Sequence, residues 1–511
     1  MPINKIDSNV TGLRYAEEAT IKNLPGAPVW FALDPNGYND FGGQLSLVAR
    51  NPINPSRQRK KGTITDLDAS GGFGQDLTQN NTSRLFQGFM FSAVREKATN
   101  IPMNGAATAV SGVSSVNVEY SFAAGVVGSG FSANDLVLAA GFTNAGNNGL
   151  KVVVSSGPLL VEVAGSLIAE VPPATAKLTR VGKSFAVATV NVVVSGSLPR
   201  LTRASGTFDF TTLGLIPGEW IFIGGDSATF AFVNAANNGF ARVRSVGADF
   251  IELDKTSSTM VAETGTGLSI RLFFGSIFRN EKQPNLIQRR SYQLERTLGN
   301  DENGPMSEYL EGAVPNEMSL QIRQADKITM DMAFVALDHT QRTGAQGLKG
   351  GDRPELLEAP AFNTSSDFSR IKMHLVSSGN ANPAPLFAFL TELTLTVNNN
   401  VSPNKAIGVL GAFDTSAGTF TVSGSVKAYF AGVEAIQAVR NNSDVSLDLA
   451  IVKNNAGFVF DVPLIALGDG RLSVEQDQPI TLPLTTEAAE GQYGYTLLIN
   501  QFPYLPTAAD L

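Results

Sequence analysis

Over much of this chain apolar and polar residues alternate with a period of two. Met318, Leu320 and Ile322 form one such run, and Ile328, Met330, Met332 and Phe334 the next. Leu393, Leu395 and Val397 form a third; Phe420, Val422, Val426 and Phe430 form a fourth, with Gly424 and Ala428 between them. A period of two turns one side of each run toward a core and predicts half-buried strands. Between Asp444 and Pro463 two more β-type runs flank Asn454-Asn455-Ala456-Gly457, a hairpin signature. Helical spacing occurs at 82–89, with Asn81 as the expected cap, and at 433–440, where Val433, Ile436 and Val439 share a side. Segments 340–385 and 400–417 are rich in Gly, Pro or Asn and are expected to be loops, with 345–352 the most flexible stretch.

The chain also repeats itself. Asn144-Ala145, Asn147-Asn148-Gly149, Val153, Ser155, Gly157 and Glu162 recur 90 residues later as Asn234-Ala235, Asn237-Asn238-Gly239, Val243, Ser245, Gly247 and Glu252. Asp135 is echoed by Glu219 at an offset of 84. Two units are too few for a solenoid, so the pattern predicts two small β-modules, roughly 111–181 and 195–275, inserted into another domain. The strand pattern at 317–322 resembles that at 392–397, and each has a helix to go with it, which points to a doubled core. The expected boundaries are 1–104 for the first part of the core domain, 105–190 and 191–275 for the two modules, 276–385 for the core's continuation, and 386–511 for a second, similar domain.

Composition narrows the function. At 511 residues the chain is long enough for three or four domains. Charged residues make up 16%, Gly is frequent at 50 residues, and the Val/Thr/Ser-rich runs fit β-structure with tight turns. There is no cysteine, hence no disulfide and no thiolate chemistry. A formal net charge of −8 does not suit a protein that holds DNA by neutralising phosphates. The amino terminus has no signal-peptide h-region, and no apolar run is long enough to span a membrane.

Candidate chemistry is sparse. His339 follows Asp338, an invitation to a base and its orienting partner, but with only two histidines a structural role is expected for it and for His374. Asp66, Asp68 and Ser70-Gly71 mimic the start of a calcium loop, yet Leu77 stands where the bidentate Glu belongs. Gly224-Gly225-Asp226-Ser227 looks like the start of some serine hydrolases but reads as a turn, because its sister module lacks the hydroxyl. No catalytic, metal-binding or cofactor-binding residue is expected, and the chain is not expected to be an enzyme.

The most telling segment is 51–76. Pro52, Pro55, Arg57, Arg59, Lys60 and Lys61 predict an extended, exposed basic loop, and Thr63-Ile64-Thr65-Asp66-Leu67-Asp68 a strand with Ile64 and Leu67 near opposite faces. Such a loop either pairs with carboxylates of a neighbouring subunit or is simply solvated. The run Asn54-Pro55-Ser56-Arg57-Gln58-Arg59-Lys60-Lys61-Gly62-Thr63-Ile64-Thr65-Asp66-Leu67-Asp68-Ala69 resembles the tail tube (major tail) proteins of long-tailed, non-contractile bacteriophages. Leu13-Arg14-Tyr15-Ala16-Glu17-Glu18 is similar to that family's N-terminal arm. Gln293 to Gly299, Tyr309 to Glu317, Val433-Glu434-Ala435 and Asp477 to Pro483 are similar to its later blocks.

The resemblance implies a mainly β protein: a β-sandwich or barrel tail-tube core, duplicated in the chain, with the repeated β-modules inserted and two short helices. It implies a virion structural protein, assembled in the host cytoplasm, that polymerises as stacked rings into the tail tube through which genomic DNA is delivered. Its partner would be itself, as a ring of three with a pseudo-sixfold inner wall or as a ring of six. A tape measure protein and a tail terminator would join it, and DNA would pass without specific binding. Arg57, Arg59, Lys60 and Lys61 become candidates for ring stacking, and Arg14, Tyr15, Glu17 and Glu18 for the arm. The alternative is a carbohydrate-binding adhesin or fibre, which calls for clustered exposed aromatics; the chain has 2 Trp and 9 Tyr.

Overall fold

Each alternating run becomes a strand in the computed structural model, which describes residues 6–510 except 54, 56, 57, 126, 195 and 197. In spatial order, strands Pro35–Arg50, Lys60–Asp76, Thr329–Ala336, Gly304–Arg323, Leu390–Asn398, Thr421–Tyr429 and Thr481–Ala488 form one antiparallel run. Its buried side carries Phe73, Met332, Leu320, Leu395, Val426 and Leu484, all in one core. Strands Phe368–Leu375, Val445–Lys453, Ala456–Asp469, Leu498–Phe502 and Ser276–Arg279 pack into the same core, as do Tyr292–Asp301, Gly12–Glu17 and Phe31–Leu33.

Two long strands turn the corners between layers. Gly304–Arg323 pairs early with Tyr292–Asp301 and Asp338–Arg342, then late with Thr329–Ala336 and Leu390–Asn398. Ala456–Asp469 pairs early with Val445–Lys453 and Leu498–Phe502, then late with Thr481–Ala488. Pro315 and Pro463 lie at the two corners. Proline donates nothing to a ladder and belongs where pairing breaks, and the register slips at Pro315.

One arrangement thus occurs twice. Gly12–Glu17, then the pair Pro35–Arg50 and Lys60–Asp76, helix Ser83–Phe89, and strands Tyr292–Asp301, Gly304–Arg323 and Thr329–Ala336 form the first set. Phe368–Leu375, the pair Leu390–Asn398 and Thr421–Tyr429, helix Glu434–Arg440, and strands Val445–Lys453, Ala456–Asp469 and Thr481–Ala488 form the second, with corresponding pairings.

Several local expectations need correction. Thr82, not Asn81, occupies the cap of the first helix, and its side chain makes no cap bond. In the second helix Ala435 and Ala438 face inward, while Val433 is exposed and Ile436 and Val439 only graze the core. Segments 340–385 and 400–417 contain the strands Phe368–Leu375, Ser402–Lys405 and Ala412–Ser416. Phe368–Leu375 escaped notice because its polar positions are among the buried ones: Arg370 and His374 bond to buried Asp448. The stretch 345–352, expected to be the most flexible, is fastened to the sheet by hydrogen bonds. The Lys349 ammonium donates to Gln293 at 2.6 Å and Glu311 at 2.7 Å, and its backbone N–H donates to the Tyr309 hydroxyl at 2.9 Å. Asn454 and Asn455 do form the hairpin turn, with φ of 51° and 61°, the positive values a two-residue type I′ turn requires.

The repeat forms a separate sheet of twelve strands. Its order is Val190–Val193, Arg200–Arg203, Phe250–Thr256, Gly239–Val246, Trp220–Ile223, Arg271–Phe273, then Lys177–Ser184, Asp135–Ala140, Gly149–Gly157, Leu160–Val163, Glu119–Phe122, Val110–Ser114. Read from either end, equivalent strands come in the same order, so the two modules are joined by their equivalent last strands, antiparallel, at Gly182↔Phe273 to Ser184↔Arg271. The repeated asparagines do repeated work. The side-chain amide of Asn148 clamps both the N–H and C=O of Phe142, and Asn238 does the same to Phe232. Each module has its own apolar core.

The module sheet covers the outer side of the second set. Strand Val445–Lys453 is buried on both faces: Leu447, Leu449 and Ile451 face the main core, while Ala450 and Val452 meet Trp220, Phe240 and Phe273 of the modules. A buried ionic network crosses this seam. Arg242 holds Asp254 at 2.8 Å and Asp461 at 3.0 Å; Lys255 holds Asp461 at 2.9 Å and Asp448 at 3.2 Å. Burial pushes the Asp448 carboxyl up, but Lys255, Arg370 and His374 reverse this and leave it well below the usual carboxylate range.

A depressed carboxylate contributes stability above its ordinary pKa and loses it as pH falls through the folded-state value. Asp448→Asn leaves Lys255 and Arg370 short of a buried partner, so it is expected to lower the unfolding free energy by about 3–5 kcal/mol at neutral pH. Denaturant titrations of the two proteins check this, and their difference should narrow as pH drops below the ordinary value of 3.8.

Candidate assembly surface

Lys60 and Lys61 open the second strand of a long two-stranded ribbon. Arg50 pairs with Lys60, and the hairpin runs unbroken, with bulges, back to Pro35↔Gln75. From Ala69 to Asp76 the second strand also pairs with Thr329–Ala336; ahead of Ala69 it pairs with the ribbon's first strand alone. The outer half of the ribbon therefore stands beyond the sheet. Two-stranded ribbons are marginal in water by themselves, and this one displays Leu45, Leu47, Val48 and Ile64, with Leu47 68% exposed. Leu67, on the side opposite Ile64, is buried. Arg59, Lys60 and Lys61 are exposed and make no ion pair with another described residue; Arg57 lies outside the described residues.

A second hairpin stands beside the first. Ser402–Lys405 and Ala412–Ser416 form a two-stranded sheet whose apolar tip exposes Ile407, Val409, Leu410 and Phe413. In the doubled arrangement it occupies the place that the outer half of the basic ribbon holds in the first set. Lys405 bonds to both Asp66 and Asp68, tying the hairpins together. Those hydrogen bonds raise the Lys405 ammonium above its usual range and hold Asp66 below its own. The carboxylates that mimicked a calcium loop are spent on this clasp.

Between the hairpins and the far end of the strands lies an open sheet face. It carries Ser319, Thr394, Thr396, Ser423, Ser425 and Thr485, half-buried or exposed. The Ser319 and Thr396 hydroxyls meet at 3.0 Å and those of Thr394 and Ser425 at 2.9 Å, so cross-strand hydroxyl pairs knit its surface. Its ionised groups are few, with acids in the majority: Glu317, Asp331, Glu392 and Glu487 against Arg323 and Lys427.

Among the described residues, two edges of this run stay unpaired. Strand Pro35–Arg50 has a neighbour on one side only, and so has 466–469, the late part of the second corner strand. Where the first set meets the second, the equivalents of these edges are joined: Gly304–Arg323 of the first pairs with Leu390–Asn398 of the second from Glu317↔Asn398 to Arg323↔Glu392.

The expected arm residues are built into the protomer. Arg14, Tyr15 and Glu17 belong to strand Gly12–Glu17, between Tyr292–Asp301 and Phe31–Leu33. Arg14 donates to the carbonyls of Trp30 at 3.0 Å and Pro354 at 2.8 Å, Tyr15 is buried against Tyr292, and Glu17 pairs with Arg290. Glu18 accepts from the backbone N–H groups of Lys22 at 2.8 Å and Gly312 at 2.9 Å. Asp338 does not orient His339: it accepts from the residue's backbone N–H, while the ring meets Glu308 at 2.9 Å. His374 lies buried against Asp448 at 3.3 Å. Sequence reasoning missed the second hairpin and the open edges. The tip Ala-Ile-Gly-Val-Leu-Gly, apolar in a region read as loop, was the signal available.

Residues 8–488 match the family model described as phage tail tube protein. No curated protein matches the chain.

Lys405→Ala removes the clasp and should raise amide hydrogen exchange in residues 60–68 while leaving 329–336 protected. Unchanged exchange in 60–68 would show that the ribbon holds its place without Lys405.

Proposed function

The chain belongs to the phage tail tube protein family, which makes it a structural protein of the virion tail that assembles with copies of itself, and from that premise we propose that three copies close into a ring and that rings stack into the tube. One observation carries the ring: the join between 317–323 and Leu390–Asn398 inside the chain supplies the template for a join between chains. By the same geometry, 466–469 of one copy pairs with the early part of Pro35–Arg50 in the next. Three chains of two sets each then give a sixfold-like wall with no unpaired edge. On this reading the second tail-tube unit starts at about Phe368, because that strand pairs with Val445–Lys453.

The open hydroxyl-rich face forms the lumen. Its excess of carboxylates repels phosphates, and its short neutral side chains offer DNA little to grip. The modules pack on the opposite side of the second set, through Trp220, Lys255 and Arg242, and so decorate the tube's exterior. The basic ribbon, with Arg59, Lys60 and Lys61, reaches the neighbouring ring. A tape measure protein inside the tube and a terminator at its end complete the tail, which assembles in the host cytoplasm and delivers the genome. The adhesin alternative is disfavoured because Trp30 and Trp220 are both fully buried.

Cryo-electron microscopy of the assembled protein tests this reading. Discs of three chains, with the open face inward and the modules outward, are expected; six chains per disc or modules in the lumen would reject it. Lys60→Glu with Lys61→Glu is expected to leave the protomer's melting unchanged and to abolish extended tubes.

A further inference from the structure

Strand registers put the ribbon and the connection 470–480 at opposite ends of the open face. Asp76 faces Thr329 at one end, where Arg323 also faces Glu392 and Tyr429 faces Thr481. Ala69 faces Ala336 at the other end, and the ribbon and the second hairpin leave from there. At the end away from the ribbon, the connection 470–480 borders a groove of about 270 Å³ lined by Gln324, Thr391, Lys427, Tyr429, Glu475 and Gln478. Beside it Phe389, Val474 and Ile480 are exposed, with Phe389 at 71% and Val474 at 69%.

The two ends complement each other. The ribbon offers cations flanked by exposed aliphatic side chains. The groove offers exposed aliphatic and aromatic side chains with Glu475 and Asp477. At the groove end Arg323 and Lys327 are already engaged by Glu392 and Asp76. Asp326, Glu434, Glu475 and Asp477 then outnumber Lys427 and Arg471.

We propose that the 470–480 groove is the acceptor of the basic ribbon, so that a second copy of this chain in the next ring seats Lys60 and Lys61 against Glu475 and Asp477. The proposal rests on the stacked-ring reading. The contact is head-to-tail, joining two different surfaces, and such contacts propagate without limit unless capped. That is what a tube of many rings requires. A self-complementary contact between ribbons would stop at two.

Zero-length carbodiimide coupling of the assembled wild-type protein, read by peptide mass spectrometry, tests it. An amide between Lys60 or Lys61 and Glu475 or Asp477 is expected. It can only join two chains, since Lys61 and Asp76 are fifteen strand residues apart, or about 50 Å at 3.3 Å each. A second measurement uses charge exchange: tubes lost in Lys60→Glu/Lys61→Glu should return when Glu475→Lys and Asp477→Lys are added. Tubes that yield neither the link nor the rescue would overturn the acceptor and leave the stacked-ring reading standing. A wild-type chain that forms no rings or tubes would bring down both.

Discussion

Backbone groups at the edge of a sheet must find partners, and this requirement organises the whole molecule. A buried or semi-exposed N–H without an acceptor is costly, and a long flat edge is a template for uncontrolled pairing. Within the chain the first set solves the problem by docking on the second. Among the described residues the second set has no third to dock on, which leaves 466–469 and the outer side of Pro35–Arg50 without a strand partner. A rotation that brings these edges together and closes removes both at once, whereas one that fails to close would give an open filament in the wrong plane.

The same accounting explains why both corner strands need a cover on their outer side. In the first set the cover is the 344–353 segment, where Arg353 pairs with buried Glu295 at 2.7 Å and Lys349 with Glu311 at 2.7 Å. In the second set it is the pair of modules, with Trp220 and the Arg242–Asp461–Lys255–Asp448 network. Buried ions add little net stability against a well-packed apolar seam, because desolvation offsets their attraction. They are demanding about geometry, however. With two acidic and two basic groups on each other's hydrogen bonds, the module sheet has one seating on the core.

Much of this was legible in the sequence, and the failures share a cause. Period-two runs were read correctly wherever one side is apolar and the other polar, as in 318–322 and 393–397. The 90-residue repeat was legible because its asparagines have a demanding task, clamping both backbone groups of one residue. Phe368–Leu375 was missed because Arg370 and His374 point into a buried ionic site, which inverts the expected pattern. The covering segment 344–353 looked flexible from its glycines, but Gly351 lies at φ 131° against the Pro28 carbonyl, a close approach that only glycine tolerates. Arg14, Tyr15 and Glu17 take their places in strand Gly12–Glu17, with Glu18 beside it, and position in the chain says nothing about which strand a segment will join. No periodicity could disclose the open edges, since a strand with one side unpaired reads like any other strand.

The two proposed contacts differ in kind, and the difference bears on assembly. The lateral join is made of backbone hydrogen bonds, which any pair of strands can supply; its selectivity comes from shape, since only equivalents of an existing internal join present matching edges. The axial join is made of side chains: cations on a ribbon that is marginal by itself, meeting carboxylates beside an apolar groove. Long-range charge speeds encounter and fixes register more than it adds affinity. A ribbon clasped at its base by Lys405 has less conformational freedom to lose on docking than a free loop, so more of the contact energy survives as binding. In a closed ring, ribbons projecting together from one face engage the next ring at several points simultaneously. Individually weak contacts then add up to a firm one. Stacking is thereby made conditional on ring closure, because a lone protomer brings only one ribbon to the contact.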